Sequence, residues 1–319
     1  MSYQLLKKRD FNALISDTFG FFKAYGKSYL KGFFVINGIV ILLLLVTTFF
    51  FSRVFMDDVL NSMERGYSSS RVLEQNLIAN ENLYIGLVLL IFVVLIILTL
   101  VLYLYPVAFL NKVAKGEEIT NDALFGFIKR KVGKAILFFL ASLVTFVPIF
   151  IVTFSLISLL AMVLIGIPLL FIMTPMMISW VMLSFYDYIS TDNGFLKSVG
   201  VGYHFATKKF WPTVGSTLII YMIINAVTSI LFFIPYLITI VSFIASAESA
   251  SQSSMDMRDT ASTMFFVMTL IIIFTSLISI IMQNLMLVNQ GVIYYSNLEE
   301  RDNISVNSEI DAIGLSEEE

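Results

Sequence analysis

Cysteine is absent from the 319-residue chain, and histidine occurs once. The absence of thiols excludes disulfide bonds, thiolate-held metals and cysteine nucleophiles. Charge is also scarce, because Asp, Glu, Lys and Arg make up only 13% of the residues, against about 25% in a typical soluble protein. A net charge of −3 lacks the basic surplus that nucleic-acid binding requires. We therefore expect no metal site, no cofactor and no nucleic-acid partner.

Long apolar runs dominate the chain, which is 58% hydrophobic. About 20 apolar residues in a helix cross a bilayer core about 30 Å thick. The runs predict an all-α integral membrane protein with six transmembrane helices, at about 33–51, 84–110, 135–159, 163–185, 213–240 and 263–289. We expect residues 1–298 to form a single polytopic membrane domain, and residues 299–319 to form an acidic, flexible cytoplasmic tail.

Two of these spans have boundaries that the sequence leaves open. Residues 135–185 carry no charge and are too long for one helix, so a tight hairpin is expected, with its break at Gly166-Ile167-Pro168 or a few residues earlier at Ser158. The charge-free stretch 212–247 contains Pro235. It is read either as one kinked span with an interfacial extension or as a segment that turns back after Pro235.

The distribution of Lys and Arg predicts the orientation. All 20 lie outside the predicted spans. Six precede the first span, six follow the second, three follow the fourth and one lies in the tail, which places sixteen on one side and four on the other. The positive-inside rule then puts both termini in the cytoplasm. We expect the bacterial cytoplasmic (inner) membrane, with the first span kept as an anchor because no cleavable signal pattern precedes it.

A short motif recurs before the first, third and fifth spans. It reads Gly-Phe-Phe-Lys at 20–23, Gly-Phe-Ile-Lys at 126–129 and Gly-Phe-Leu-Lys at 194–197. An Ile-Ser or Ile-Thr pair precedes each copy, and these Ser and Thr side chains are candidate helix caps. We predict an internal repeat in which a cytoplasmic-side amphipathic interfacial helix leads into each pair of spans; the alternative is convergent membrane anchoring. The candidate lipid-interface residues are Lys23, Lys27, Lys129, Lys197, Lys208, Lys209 and Trp211.

Ionisable residues are missing from the predicted spans, and Asp187 lies just outside the fourth. This pattern argues against an ion-coupled transporter and an intramembrane aspartyl protease, because both need charge at membrane depth. Uncharged polar groups remain, and they act either as links between helices or as the lining of a cavity. The candidate cavity residues are Asn225, Gln283, Asn284, Gln290 and Pro175.

Residues 175–225 carry a pattern that resembles a known family. The pattern comprises Pro175-Met-Met, Asp187, Thr191-Asp-Asn-Gly, Phe195-Leu-Lys-Ser, Lys208-Lys-Phe-Trp and Gly215. It resembles the six-span membrane domain attached to some glycerophosphodiester phosphodiesterases and related stand-alone bacterial membrane proteins, although Phe195-Leu196 stands where that family usually has Ala-Leu. The resemblance implies a helical bundle in the inner membrane. It does not imply phosphodiesterase activity, since that chemistry calls for a catalytic domain and histidines that this sequence lacks.

Three functional hypotheses follow. The first is a non-enzymatic protein of the cytoplasmic membrane that contacts lipids, organises the membrane or binds partner membrane proteins; its oligomeric state is left open. The second is a carrier or flippase-like protein for a lipid or hydrophobic amphiphile, with its path along Pro175 and Gln283. The third is a membrane-embedded lipid enzyme, which would have to use Asp187, Asp192 and His204.

Overall fold

A computed structural model describes residues 3–64, 78, 81–162, 164–249 and 254–304. Seven helices and no strands are found within these ranges. The helices are α1 (Phe11–Glu64), α2 (Glu81–Lys115), α3 (Asn121–Ala161), α4 (Gly166–Ser190), α5 (Phe195–Lys208), α6 (Phe210–Ser249) and α7 (Ser254–Asp302). The predicted all-α class is confirmed for this part of the chain.

Six of the helices, all except α5, are long and apolar enough to cross a membrane. Many of their large apolar side chains face outward, such as Ile39 on α1 and Val144 on α3, which are 74% and 79% exposed. A helix satisfies its own backbone hydrogen bonds and can therefore lie in lipid. Its outward-facing apolar side chains are favourable there, whereas their exposure to water would be unfavourable. The expected number of six spans is therefore matched by length and composition.

Helices α1 and α3 begin well before their predicted spans. α1 starts at Phe11 and is capped by Asp10, whose Oδ1 accepts from Ala13 N at 2.8 Å. α3 starts at Asn121, and Thr120 Oγ1 accepts from Ala123 N at 3.3 Å, as predicted for Thr120. The cap prediction is wrong for Ser16, which lies inside α1, and for Ser190, which is the last residue of α4. The first two copies of the Gly-Phe-x-Lys motif therefore lie inside these long helices, since no proline interrupts the chain between motif and span.

The third copy of the motif belongs to a separate helix, α5. The chain leaves helical geometry at Lys209, which has φ −118° and ψ 62°. α6 begins one residue later with Pro212 in its first turn, where the missing proline N–H costs no hydrogen bond.

α3 ends at Ala161 and α4 begins at Gly166, so the break lies just before the predicted Gly166-Ile167-Pro168, which forms the first turn of α4, and the alternative position Ser158 lies within α3. Leu164 in the turn adopts a left-handed conformation with φ 63°. Gly166 is required at the start of α4, because a Cβ there would collide with the carbonyl oxygen of Ile157 and the backbone of Ala161. Helix α6 continues without interruption through Pro235 to Ser249, so the single-span interpretation is the one that the structure follows.

The chain divides into two compact units. The first unit comprises Met1–Ile36, Leu100–Ile223 and Gln283–Glu319, and the second comprises Asn37–Thr99 and Ile224–Met282. The prediction of a single domain stays a prediction. α7 extends to Asp302, so it includes the first four residues of the predicted tail, while 305–319 lie outside the described residues.

Candidate functional site

The first unit has polar side chains in its interior as well as apolar ones. Asn284, Asn289 and Gln290, all on α7, have no exposed surface. Burying an amide is unfavourable unless its donors and acceptors are paired. The partners of these three amides come from other helices of the same unit.

Asn284 links α7 to α1 and, through Tyr29, to α2. The hydroxyl of Tyr29 donates to Asn284 Oδ1 at 2.8 Å, and the hydroxyl of Tyr105 donates to the carbonyl oxygen of Tyr29 at 2.6 Å. The rings of Tyr29 and Tyr105 meet edge to face with centroids 5.0 Å apart. The two hydrogen bonds thus hold α1, α2 and α7 in a fixed register.

Gln290 makes a second link, to α6 and α4. Its Nε2 donates to Thr217 Oγ1 at 2.8 Å, and Thr217 Oγ1 lies 2.9 Å from Ser179 Oγ. The neighbouring Asn289 donates from Nδ2 to Thr18 Oγ1 on α1 at 3.0 Å. We call the two links made by Asn284 and Gln290, together with that of Asn289, the amide network.

The candidate cavity residues have different surroundings. Asn284 and Gln290 belong to the amide network, and the side chain of Gln283 hydrogen-bonds Tyr103. The sequence had left two roles open for these side chains, contact between helices or the lining of a cavity. In the structure these three make contacts between helices. Pro175 is buried and borders a cleft of about 250 Å³ whose lining is mostly apolar. Asn225 belongs to the second unit and is exposed.

The burial of Asp187 was not indicated by the sequence. It lies within α4, three residues before the end of that apolar helix, and it is fully buried. Asn193 Nδ2 donates to its Oδ2 at 2.9 Å, and the Tyr294 hydroxyl lies 3.4 Å from Oδ1. An acidic side chain is therefore part of a span-forming helix, because the polar groups around it replace the water that a carboxylate needs.

A second polar feature of the first unit is an open cleft of about 860 Å³, which we call the basic cleft. Residues 7–10 form one wall, and the α5–α6 junction forms the other. Its cations are Lys7, Lys8, Arg9, Lys208 and Lys209. Trp211 stands at the cleft and is 68% exposed. Lys208, Lys209 and Trp211 were predicted as lipid-interface residues, whereas residues 7–9 were not.

Arg9 organises the wall of the basic cleft from within. It is only 2% exposed, and its guanidinium donates to the carbonyl oxygens of Gln4 and Leu5, each at 2.7 Å. It also pairs with the Asp17 carboxylate at 2.7 Å. The Arg9 backbone N–H donates to Ser296 Oγ on α7 at 3.0 Å. The segment before α1 is therefore tied to α1 through Asp17 and to α7 through Ser296, and the Arg9 guanidinium is engaged within the protein.

The lysines on the opposite wall share one carboxylate. Glu300 on α7 pairs with Lys208 at 3.4 Å and also with Lys209. Lys8 donates to Asn303 Oδ1 at 2.7 Å. The end of α7 therefore supplies oxygen ligands to cations on both walls.

The other candidate lipid-interface lysines lie on helix surfaces of the first unit. Lys23 and Lys27 on α1, Lys129 on α3 and Lys197 on α5 are all exposed. Large apolar side chains lie close to them in sequence and are exposed as well, namely Phe19 (43%), Phe125 (58%) and Leu196 (77%). This combination of cation and exposed apolar group is typical of a membrane interface.

The side chains proposed for a lipid enzyme, all within the described residues, have different surroundings. Asp187 is buried and engaged, exposed Asp192 lies 3.5 Å from Lys134, and His204 is exposed on α5. Among the residues that the structure describes, no three His, Cys, Asp or Glu side chains cluster in a way that could hold a metal ion.

Sequence reasoning missed the hydroxyl partners and Arg9. Thr18, Thr217 and Ser179 are ordinary helix residues in the sequence, and only their distance to an amide gives them a role. The sequence did give a signal for the amides, because the seven-residue spacing of Gln283 and Gln290 places both on one face of α7. It gave none for their hydroxyl partners.

Comparison of the chain with models of protein families, with curated proteins and with solved structures finds no match. The likeness to the membrane domain of glycerophosphodiester phosphodiesterases accordingly stays a prediction from residues 175–225.

Proposed function

We propose that this chain is a non-enzymatic integral membrane protein that contacts anionic lipids and organises the membrane around it. The observation that carries the proposal is the set of exposed lysines, Lys23, Lys129 and Lys197, each accompanied by an exposed apolar side chain on the same helix. Such pairs allow the ammonium group to reach lipid phosphates while the apolar group stays among acyl chains.

The proposal includes an orientation. The first unit contains most of the Lys and Arg residues, so we place it at the cytoplasmic face of a bacterial inner membrane, with both chain termini in the cytoplasm. The three Gly-Phe-x-Lys segments are then three interfacial anchors of an internal repeat. Partner membrane proteins would bind the same assembly from within the bilayer.

The amide network supports a structural role over a transport path. Two of the polar residues considered for a path, Asn284 and Gln290, bond to side chains of neighbouring helices. The atoms that make these bonds, Asn284 Oδ1 and Gln290 Nε2, hold helices together and are not free to solvate a passing substrate.

The test compares lipid retention by two triple variants in native-lipid nanodiscs. In the first, Lys23, Lys129 and Lys197 are replaced by glutamine, and in the matched control they are replaced by arginine, which keeps the charge. Each lysine near an anionic surface contributes about 1 kcal/mol, so the glutamine variant should retain several-fold less anionic lipid by mass spectrometry. The arginine variant should retain as much as the wild type. Equal retention by the glutamine variant would remove the proposal.

A further inference from the structure

We propose that the basic cleft is a specific binding site for the phosphate monoester headgroup of a membrane lipid, with Glu300 as an internal competitor for it. The inference rests on the proposed function, since it names the lipid chemistry that the protein would select. It concerns the basic cleft alone, whereas the proposed function concerns Lys23, Lys129 and Lys197, which lie exposed on three different helices.

The cleft has the shape and donors that an oxyanion requires. Its volume of about 860 Å³ matches the range of small-molecule sites, about 300–1,000 Å³. Lys208 and Lys209 face it from one wall, and Lys7 and Lys8 face it from the other. The wall that carries Lys7 and Lys8 is held in place by Arg9, whose own donors are occupied within the protein.

Glu300 on α7 shows how an anion engages two of the lysines that line the cleft. Its two carboxylate oxygens approach different lysines, Oε1 toward Lys208 and Oε2 toward Lys209. A phosphate offers more oxygens in a tetrahedral array, so it can bridge the same two ammonium groups and still reach Lys7 or Lys8. Of the other acids near the cleft, Asp10 caps α1. Asp17 pairs with Arg9 at 2.7 Å and, at the longer distance of 3.7 Å, with Lys7.

The position of the cleft favours a lipid over a soluble phosphate. Phe210, Trp211 and Pro212 line it, and they open the apolar helix α6. Trp211 is 68% exposed, and an exposed tryptophan at the end of a span is suited to the headgroup level of a bilayer. A lipid bound with its phosphate between the lysines would lay its acyl chains along α6.

The charge of Glu300 decides between lipid classes. A phosphodiester headgroup carries one negative charge, so replacing the Glu300 carboxylate with it changes the electrostatic energy little. A phosphate monoester carries about −1.5 to −2 near pH 7, and the extra charge is attracted by four lysines. One added unit charge at contact distance is worth about 1 kcal/mol or more near a surface, which predicts about fivefold to tenfold preference for a monoester.

The test titrates the purified full-length chain with short-chain phosphatidic acid, a monoester, and short-chain phosphatidylglycerol, a diester, and counts bound lipids by native mass spectrometry. The wild type should prefer phosphatidic acid by about fivefold to tenfold. In the double variant Lys208→Gln/Lys209→Gln the preference should fall below about twofold. Glu300→Gln should bind phosphatidylglycerol several-fold more tightly, because the internal competitor is gone. Thermal unfolding of each variant shows that it is folded.

Three outcomes would overturn the assignment. One is a double variant that stays folded and keeps its preference, and another is a Glu300→Gln variant with unchanged phosphatidylglycerol affinity. The third is displacement of phosphatidic acid by an equal concentration of glycerol phosphate, which would identify a soluble ligand. The Lys23, Lys129 and Lys197 glutamine variant separates this inference from the general proposal. It should lose overall anionic lipid but keep the preference for the monoester, and loss of that preference would assign selectivity to the dispersed lysines.

Discussion

Gly291 lies at a tight helix contact in the first unit, and its replacement by alanine gives a sharp test of the packing. A Cβ at this position would stand 2.7 Å from Tyr186 Oη and 3.0 Å from Tyr186 Cζ, and it would collide with Leu110 Cδ1. Tyr186 cannot retreat freely, because its hydroxyl donates to the carbonyl oxygen of Leu287 at 2.8 Å and its ring stacks on Tyr294.

The expected cost of Gly291→Ala follows from three contributions. Overpacking of a buried contact costs about 1–3 kcal/mol, and displacement of the Tyr186 hydroxyl loses a hydrogen bond worth about 0.5–1.5 kcal/mol. Alanine regains up to about 1 kcal/mol of helix propensity over glycine. We expect the free energy of unfolding to fall by about 1–3 kcal/mol.

Unfolding in mixed micelles with increasing SDS measures this change, with Gly133→Ala as the control. Gly133 lies within α3 and a Cβ there would meet no atom within 4 Å, so this variant should be neutral or slightly stabilised. Adding Tyr186→Phe to Gly291→Ala removes one of the atoms that crowd the new methyl group, the Tyr186 hydroxyl oxygen, so the double variant should lose less than the two single changes together. Equal stability of Gly291→Ala and Gly133→Ala would refute the packing argument.

Three further predictions follow. Gln290→Leu should lower the free energy of unfolding by about 0.6–1.7 kcal/mol, the range for polar contacts between membrane helices, because the bond to Thr217 is lost; an unchanged SDS midpoint would contradict this. Thr120→Ala should destabilise the start of α3 by about 1 kcal/mol, seen as faster hydrogen exchange at Ala123, and unaltered exchange there would count against the cap. Burial raises the pKa of Tyr3 above its usual value and outweighs the opposing effect of Arg9. Folding stability should therefore decline as pH rises above about 10, the pKa of an unfolded tyrosine. Thermal melts from pH 9 to about 11 should show a flatter decline for Tyr3→Phe than for the wild type. Parallel declines of the two proteins would contradict this prediction.

The spans were predictable because they depend on local properties of the chain. Charge-free runs identify the apolar helices, and the Gly166-Ile167-Pro168 sequence marks the hairpin. An interfacial helix was expected before the first span, but its continuity with that span in one helix from Phe11 was less accessible. Lysine and aromatic residues are compatible with a helix, so the end of an apolar run does not mark the end of the helix.

The interior contacts depend on which helices meet, and a single sequence does not encode that directly. The predicted amides lie at polar contacts, but their partners, Thr18 and Tyr29 among them, are 271 and 255 residues away. Asp187 looked like a span-end residue because the apolar run stops near it, yet Asn193 and Tyr294 make its burial possible. Arg9 offers no sequence signal, since its role arises from the carbonyl groups that happen to surround it.

The tie between Arg9 and Ser296 has a consequence for biosynthesis. The two residues are 287 positions apart, so at about 5–20 residues per second a ribosome needs about 15–60 s to make the second after the first. Throughout that interval the amino-terminal segment with its lysines has been synthesised, but the part of α7 that it contacts in the folded protein has not. The first unit is therefore completed only when the last helix arrives, and a nascent chain stalled before residue 296 would present this segment unfastened to the insertion and degradation machinery.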